Sequence, residues 1–512
     1  MTGISSPHNA ILAVDLGTSS ARSLLVDPYL NILASFSVPL GLEESFSGFA
    51  EQDPNAVFSA AFEVIRQAAN FATQDGILVL GICFSNAVSS LLALDSGDNP
   101  LGLAMIWADS RSHQQVAALS HRAQELYTRT GCPLHTSYWL PKLAWLYENQ
   151  PDKFSRARRW LTIKDYVVWR LTYKFFTDFS NAAATGLLNL TTLDWDPLAI
   201  YLAKVDLDKL PQVHPTTFSL PLLPEVATKL GLPIQTPLIL GAGDGALSSL
   251  GSGAVAPGQT TTMIGSSGAC RTVAFQPVLS DPLARTWSYP LLNDLWVIGG
   301  AENSGGLVVE WFQSMFQNAV SGEQYSETMK LAAQVPPGCD GLIFLPYILG
   351  ERAPIWDAQA RGAFIGLDSQ HTRAHLARAV LEGTIYALFS IFQVLNENAG
   401  RATEIRASGG YVRSDLWLQI QADMFGQPIS VMEKYEGSAL GAAILGLYAL
   451  GKLADLQNFA KQLKIKKVIS PLPRQAATYR KIIPIYALAY QQLKVVFPQL
   501  ATLRENKTNR EP

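Results

Sequence analysis

The stretch AVDLGTSSARSLLVD, residues 13–27, is the feature that most restricts how this chain can fold. Two apolar runs flank a glycine and three hydroxyl residues, which is the pattern of a β-hairpin with a polar turn. An ordinary hairpin needs no acid inside its first strand, because a buried carboxylate is costly unless it is paired or bound to a metal. The stretch therefore predicts a phosphate-binding hairpin in which Asp15 faces a metal ion. An aspartate on an edge strand beside a polar turn is the alternative.

The residues that follow Asp15 have the chemistry that phosphate requires. Backbone N–H groups and side-chain hydroxyls donate hydrogen bonds to phosphate oxygens, and an arginine adds positive charge. The candidate phosphate contacts are Gly17, Thr18, Ser19, Ser20 and Arg22.

A second stretch of the same kind, TTTMIGSSGACRTVAF, lies about half the chain later, at residues 260–275. Both stretches have an apolar strand, a glycine with hydroxyls, a small residue, an arginine and a second apolar strand. This weak repeat predicts two domains of similar topology, each contributing one hairpin to a shared cleft. We place the domains at residues 1–237 and 238–512. Two unrelated hairpins with the same turn chemistry are the alternative.

Strand-like segments alternate with amphipathic helices, and this pattern predicts an α/β fold. Residues 55–72 have helical periodicity, for example, and residues 77–85 form an apolar run. The chain of 512 residues is too long for one core and is 48% hydrophobic. Its net charge of -3 argues against a nucleic-acid partner or a polybasic membrane contact. Any affinity for phosphate must therefore come from local geometry.

The sequence indicates a cytoplasmic protein without a membrane partner. The N-terminus has neither a basic segment nor a long apolar one, so no signal peptide is expected. Residues 438–451, SALGAAILGLYALG, fall short of the roughly 20 residues that span a bilayer, which favours a buried helix. The four cysteines are far apart and are expected to be reduced thiols.

Two further sets of residues could carry chemistry in the first half of the chain and at its middle. Asp244 lies between small residues in GAGDGA, where an unshielded carboxylate can take a proton from a substrate hydroxyl. An aspartate in a glycine turn is the alternative. Trp107, Asp109 and Arg111 offer an aromatic plane, an acid and a base to a polyhydroxylated ligand. Taken alone, that cluster favours a loop salt bridge beside a core tryptophan.

A strand, two glycines and a helix follow one another near residue 410. Gly409 and Gly410 come after the strand-like TEIRAS, and Ser414 is the predicted N-cap of a helix over residues 415–426. Helix N-termini that follow glycines allow close approach of anionic or planar ligands. The chain has no P-loop, H-E-x-x-H or G-x-S-x-G motif.

The ordered set of AVDLGTSSAR, WADSR, GAGDGALSSLGSGA, IGSSGA, GERAPIWDAQARGAFIGL, RAVLEG and SGGYVRSDLWLQIQADMFG resembles the FGGY family of carbohydrate kinases. The resemblance covers roughly residues 10–450. It implies two actin-like, ribonuclease-H-like ATPase domains with a cleft between them. Within the family, residues 130–135, 185–190 and 344–367 are most similar to gluconate kinases.

The resemblance implies an enzyme that uses ATP and Mg²⁺ to convert gluconate to 6-phosphogluconate. A pentulose (xylulose or ribulose) or a polyol such as glycerol is the alternative substrate, and a sugar sensor or a chaperone-like or filament-forming ATPase is a further alternative. A homodimer is left open. The implied roles are catalytic base and substrate contact for Asp244, substrate contacts for Ser89, Trp107 and Asp109, metal contact for Asp15, and nucleotide contacts for Gly17, Thr18, Ser19, Ser20, Arg22, Gly265, Ser266, Gly410 and Ser414.

Two departures from the family pattern concern the sugar side. Ser89 stands where the family often has histidine, so a direct substrate contact is expected to be lost or mediated by water. Trp139 stands where the family often has proline, and Pro141 directly precedes Lys142. The loop shape is therefore expected to differ.

Overall fold

Strands and helices group into two sets that are interleaved along the chain. The computed structural model describes residues 9–43, 48–292, 294–315, 321–433, 437–461 and 463–500. Unit 1 comprises Met1–Pro257, Val273–Ile298 and Tyr435–Leu463. Unit 2 comprises Gly258–Thr272, Gly299–Lys434 and Lys464–Pro512.

Strands and helices alternate along most of the chain. In chain order, the strands are β1 (Asn9–Leu16), β2 (Ser20–Val26), β3 (Ile32–Pro39), β4 (Glu51–Gln52), β5 (Leu78–Asn86), β6 (Leu92–Leu94), β7 (Ala104–Met105), β8 (Arg159–Leu161), β9 (Phe176–Asp178), β10 (Leu188–Asn189), β11 (Asp194–Trp195), β12 (Gln212–His214), β13 (Ser219–Pro221), β14 (Pro237–Gly243), β15 (Gln259–Ile264), β16 (Gly268–Ala274), β17 (Trp287–Leu292), β18 (Leu295–Glu302), β19 (Ile343–Leu345), β20 (Ala363–Ile365), β21 (Glu404–Ser408), β22 (Ile429–Met432) and β23 (Ile465–Ile469). The helices are α1 (Pro54–Gln74), α2 (His113–Leu119), α3 (Ala123–Thr130), α4 (Trp139–Asn149), α5 (Pro151–Arg156), α6 (Ile163–Thr172), α7 (Phe179–Ala183), α8 (Pro197–Ala203), α9 (Pro224–Leu230), α10 (Asp244–Gly251), α11 (Gly306–Ser314), α12 (Ser321–Ala332), α13 (Arg373–Asn398), α14 (Asp415–Phe425), α15 (Gly437–Ala449), α16 (Leu456–Ala460) and α17 (Pro473–Leu493).

Unit 1 is built on a six-stranded sheet with the order β13-β14-β5-β1-β2-β3. The predicted hairpin is present, since β1 and β2 pair antiparallel with Asp15 opposite Arg22. β5 lies parallel to β1 on one side and parallel to β14 on the other. The carboxyl ends of these three strands therefore share one edge of the sheet.

Helices cover this sheet on both faces, because alternate residues of a strand point to opposite sides. Leu12 and Val14 of β1 belong to the core that includes α1. Ile11 faces α15, where a Cβ on Gly446 would lie 2.9 Å from the Ile11 side chain. The run of small residues in α15 thus permits the helix to lie close to the sheet. The prediction of a buried helix at residues 438–451 is confirmed.

The sheet of unit 2 repeats the strand order of unit 1. The strand order is β18-β16-β15-β21-β22-β23, and β18 belongs to unit 2 from Gly299 onward. β15 and β16 form the second predicted hairpin, β21 and β22 continue in parallel, and β23 is an antiparallel edge strand. Both units thus have a hairpin strand beside two parallel strands, which accounts for the weak sequence repeat.

The predicted boundary after residue 237 remains a prediction. By its contacts, the chain groups β14 with unit 1, together with α10 and its first residue Asp244. Among the described residues one helix, α13, is long and apolar enough to cross a membrane by length and composition. Its most apolar stretch is 78% buried, which is typical of a core helix.

Gly441→Ala tests the packing of α10 against α15. A Cβ at this position would lie 1.9 Å from the backbone oxygen of Leu247, so the two helices must move apart. Overpacking of this kind costs about 1–3 kcal/mol, and we expect a loss of unfolding free energy near the upper end, measured by urea denaturation. Gly41→Ala is the control, because a Cβ at Gly41 meets no atom within 4 Å. Equal stability of the two variants would contradict the described packing.

Candidate active site

The edge of the unit 1 sheet brings together the two acids predicted to carry chemistry. Asp15 is the penultimate residue of β1, and Asp244 directly follows β14. β5 separates the two strands, with Ser85 opposite Asp15 and Asn86 opposite Gly243. Since neighbouring strands are about 4.8 Å apart, β1 and β14 are separated by roughly 10 Å. The structure therefore places both acids on one edge, although they are 229 positions apart in the sequence.

Asp15 is half-buried, and its Oδ1 atom is inaccessible to solvent. Burial raises its pKa, while the hydroxyls of Ser85 and Ser438 and the charge of Arg22 act in the opposite direction. Its Oδ1 has no hydrogen-bond partner among the described residues. A buried carboxylate oxygen without a partner is a fitting ligand for a hard cation such as Mg²⁺, either directly or through water.

The turn after Asp15 is held by contacts of its own. The amide of Gly17 donates to the carbonyl of Ser20 at 3.0 Å, and Thr18 Oγ1 accepts the indole N–H of Trp107 at 3.1 Å. Arg22 Nε donates to Ser20 Oγ at 3.1 Å. Ser19 accepts a backbone hydrogen bond through its carbonyl oxygen, from Leu40. The turn is thus preorganised, and Trp107 is fixed against it.

Asp244 is the first residue of α10 and is half-buried. The amide of Gly245 donates to its Oδ1 at 2.7 Å. A carboxylate in the first turn of a helix is favoured by the helix dipole and by unpaired backbone N–H groups. A role of this partly exposed acid toward a substrate hydroxyl remains a prediction.

Ser89 and Asp109 have partners within the protein. The Ser89 hydroxyl donates to the carbonyl of Ala184 at 2.5 Å. Asp109 is fully buried, accepts from the amide of Ala50 at 3.0 Å and forms an ion pair with Arg111 at 2.5 Å. The sequence of this cluster, taken alone, predicted a loop salt bridge, and this ion pair is that salt bridge. A direct role of these two side chains in binding substrate remains a prediction.

Lys142 organises this region in a way that the sequence did not predict. Its buried ammonium group donates to three backbone carbonyls, those of Ser89 at 2.9 Å, Ile106 at 2.7 Å and Ser137 at 2.9 Å. Burial lowers the pKa of Lys142 to about 7. The side chain ties the segment after β5 to the segment that carries Trp107. The sequence feature that could have indicated this role is a lysine within the apolar run WLPKLAWL.

A small cavity in unit 1 lies beside these groups and has a volume of about 10 Å³, which is room for one water molecule. Its lining includes Gly17, Thr18, Asn86, Val88, Trp107 and Lys164. Lys164 is the one charged residue among the described lining residues. Its ammonium group is fully buried, pairs with Asp178 and also donates to the carbonyl of Leu240. Burial lowers the pKa of Lys164 to about 8.

The predicted nucleotide contacts of unit 2 come together at the matching edge of the second sheet. Gly265 and Ser266 form the turn between β15 and β16, and their carbonyls accept from the first amides of α11 at 2.7 and 3.0 Å. Gly409 follows β21 with a φ of +93°, and a Cβ there would lie 2.5 Å from the backbone oxygen of Ile264. Gly410 has open space around its Cα.

Ser414 caps α14, as predicted. Its Oγ accepts from the amide of Trp417 at 3.2 Å. The glycine turn, the cap and the helix therefore form one strand–turn–helix segment beside the second hairpin. Contact of these residues with a nucleotide remains a prediction.

Comparisons with known proteins agree with this architecture. The N-terminal domain of the FGGY family of carbohydrate kinases matches residues 10–251, and the C-terminal domain matches residues 260–450. The gluconokinase of Bacillus subtilis (strain 168) is 36% identical over 503 residues, which cover 96% of this chain and 97% of that protein.

Two solved structures from Lactobacillus acidophilus are similarly close. The gluconate kinase has a TM-score of 0.91 at 35% identity, and the ligand-bound xylulose kinase has a TM-score of 0.91 at 36% identity. Each comparison covers 96% of this chain and 100% of the other.

The fold and the comparisons define a carbohydrate kinase, an enzyme that transfers a phosphoryl group from ATP to an alcohol group. Within that class, the chain belongs to the FGGY family of carbohydrate kinases. The predicted two-domain fold of this family is confirmed. The cleft between the domains remains a prediction.

Lys142→Met tests whether Lys142 holds together the segment after β5 and the segment that carries Trp107. The variant leaves three buried carbonyls without their donor, and each unsatisfied group costs about 1–3 kcal/mol. We expect the free energy of unfolding to fall by at least about 2 kcal/mol and the KM for the sugar to rise, while the KM for ATP stays within about twofold. Lys229→Met, at an exposed lysine of α9, is the control. Unchanged stability and sugar KM would contradict the assigned role.

Proposed function

We propose that this enzyme phosphorylates gluconate with ATP to give 6-phosphogluconate. The observation that carries the proposal is the placement of Asp15 and Asp244 on one edge of the unit 1 sheet, beside a small cavity whose lining includes Thr18 and Asn86. The similarity to the Bacillus gluconokinase and the Lactobacillus gluconate kinase supports gluconate as the substrate.

Asp244 accepts the proton of the reacting hydroxyl and directs its oxygen toward the γ-phosphoryl group. The acid is half-buried at a helix start, so it is exposed to ligand while its geometry is fixed by the Gly245 amide. Transfer of a phosphoryl group depends mainly on positioning and charge neutralisation. Gly17, Thr18, Ser19, Ser20 and Arg22 serve the phosphates from unit 1, and Gly265, Ser266, Gly410 and Ser414 serve the nucleotide from unit 2.

Magnesium belongs to this proposal through Asp15. The unpartnered, buried Oδ1 of Asp15 supports a metal contact at this acid. A bound Mg²⁺ would offset the negative charge of the phosphates. The surrounding hydroxyls of Ser85 and Ser438 favour the charged form of the carboxylate and so prepare it for a cation.

A pentulose is the second candidate substrate. The similarity to a xylulose kinase structure is as high as that to the gluconate kinase structure. Moreover, Lys164 is already paired with Asp178, so its charge is neutralised before an anionic sugar binds. Ser89 likewise supplies no positive charge where the family often has histidine. A neutral sugar therefore also suits the charge of this region.

The remaining expectations on partners and location stand as part of the proposal. The enzyme works in the cytoplasm on a small sugar or sugar acid, without a nucleic-acid or membrane partner. A homodimer remains open.

A screen of ADP release over gluconate, xylulose, ribulose and glycerol tests the substrate. We expect the highest kcat/KM with gluconate, and we expect turnover to stop on removal of Mg²⁺ and to return when it is added back. A higher kcat/KM with xylulose would replace gluconate by a pentulose. Ligand binding without turnover of any of the four would indicate a sensor.

Asp244→Asn tests the catalytic base. The amide keeps the size of the side chain but cannot take the proton, so we expect kcat to fall at least about 100-fold, the scale of a general-base contribution. The KM values for ATP and sugar should change little. As a control, Asp208→Asn alters an exposed aspartate of the same unit. A kcat within a few-fold of the parent would remove Asp244 from this role.

A further inference from the structure

Asn86 lies at the centre of the edge that carries the two acids. It is the last residue of β5, the strand between β1 and β14. In register it stands opposite Leu16, one residue after Asp15, and opposite Gly243, one residue before Asp244. Ligands of α/β sheets bind beyond the carboxyl ends of parallel strands, which is where Asn86 ends its strand.

The orientation of the Asn86 amide is fixed by a chain of hydrogen bonds. Asn181 Nδ2 lies 3.2 Å from Asp165 Oδ1 and 2.7 Å from Thr162 Oγ1. Because Asn181 turns its donor group toward these oxygens, its own Oδ1 faces Asn86. Asn86 Nδ2 donates to that oxygen at 3.0 Å and to the carbonyl of Ala87 at 2.9 Å. Both partners are acceptors, so the amide nitrogen of Asn86 must face them.

The oxygen of Asn86 is left as an acceptor without a donor. Asn86 is 2% exposed, and its Oδ1 has no hydrogen-bond partner among the described residues. An unsatisfied buried acceptor is costly, and native proteins rarely keep one without a ligand, water or function. The residue lines the same cavity as Thr18 and Trp107. That cavity has room for one hydroxyl group, so a polyhydroxylated ligand at the sheet edge can supply the missing O–H donor through one of its hydroxyls.

We propose that Asn86 Oδ1 accepts a hydrogen bond from a hydroxyl of the bound sugar other than the one that is phosphorylated. The inference rests on the proposed kinase function, because Asp244, directly after the neighbouring strand β14, serves the reacting hydroxyl. Ser180 of α7 links the two positions, since its Oγ accepts from the amide of Gly243 while the adjacent Asn181 holds Asn86. Asn86 thereby selects sugars that carry a hydroxyl at one particular carbon.

The test compares Asn86→Ala with the parent enzyme on a series of monodeoxy sugars. The series is made from gluconate, or from whichever sugar the parent turns over best, each analogue lacking one non-reacting hydroxyl. We expect the parent to lose about tenfold or more in kcat/KM with the analogue that lacks the partner hydroxyl. In Asn86→Ala we expect kcat/KM for the unmodified sugar to fall by a similar factor. The analogue that lacks the partner hydroxyl should then have the same kcat/KM as the unmodified sugar. The KM for ATP should not change.

Controls separate this role from a structural one. Asn149→Ala, at an exposed asparagine of α4, should behave as the parent on every analogue. A uniform loss on all analogues, or unchanged penalties at every carbon, would overturn the proposal. Asn86→Ser, which keeps a donor toward Asn181, provides the same comparison if the alanine variant does not fold. A parent enzyme that turns over no sugar would instead contradict the proposed function itself.

Discussion

The parallel pairing of β5 with β1 and β14 is the interaction on which the unit 1 site depends. Backbone hydrogen bonds fix the register of these strands, and the register places Asp15, Asn86 and Asp244 at one edge. Most side chains on the sheet faces are apolar and pack against α1 and α15, so the polar groups of the site gather at the strand ends. A helix with glycines at its contact points is needed for this arrangement, because a bulkier α15 would push α10 and Asp244 away.

Buried polar groups around this edge act as a support for the site. Lys142 and the Lys164–Asp178 pair are fully enclosed, and each is satisfied by backbone carbonyls or by an opposite charge. Such groups specify loop positions, since any displacement leaves an unsatisfied donor or acceptor in a medium of low dielectric. Asp15 Oδ1 and Asn86 Oδ1 are among the buried atoms without a partner in the described residues, and these two are where ligands are proposed to bind.

The two units use one topology for different purposes. Met263 of β15 lies beside Ser408 of β21, just as Asp15 of β1 lies beside Ser85 of β5. The acid of the first hairpin is therefore replaced by an apolar residue in the second. Gly409 occupies the position that corresponds to Asn86, and its left-handed backbone allows close approach to β15. The same strand arrangement thus presents the polar side chains of Asp15 and Asn86 in unit 1, and an apolar side chain and a glycine at the matching positions in unit 2.

The sequence by itself determined the hairpins, the buried helix over residues 438–451, the Ser414 cap and the family, because turn chemistry, apolar periodicity and motif order are local properties of the chain. Only the tertiary structure decided which polar side chains keep an atom without a hydrogen-bond partner. Ser89 and Asp109 form hydrogen bonds with Ala184 and Arg111. The amide nitrogen of Asn86 donates to Asn181 and to its neighbour Ala87, and its oxygen has no partner among the described residues. Hydrogen bonds between residues 95 positions apart depend on the register of the sheet, and no local pattern contains that information.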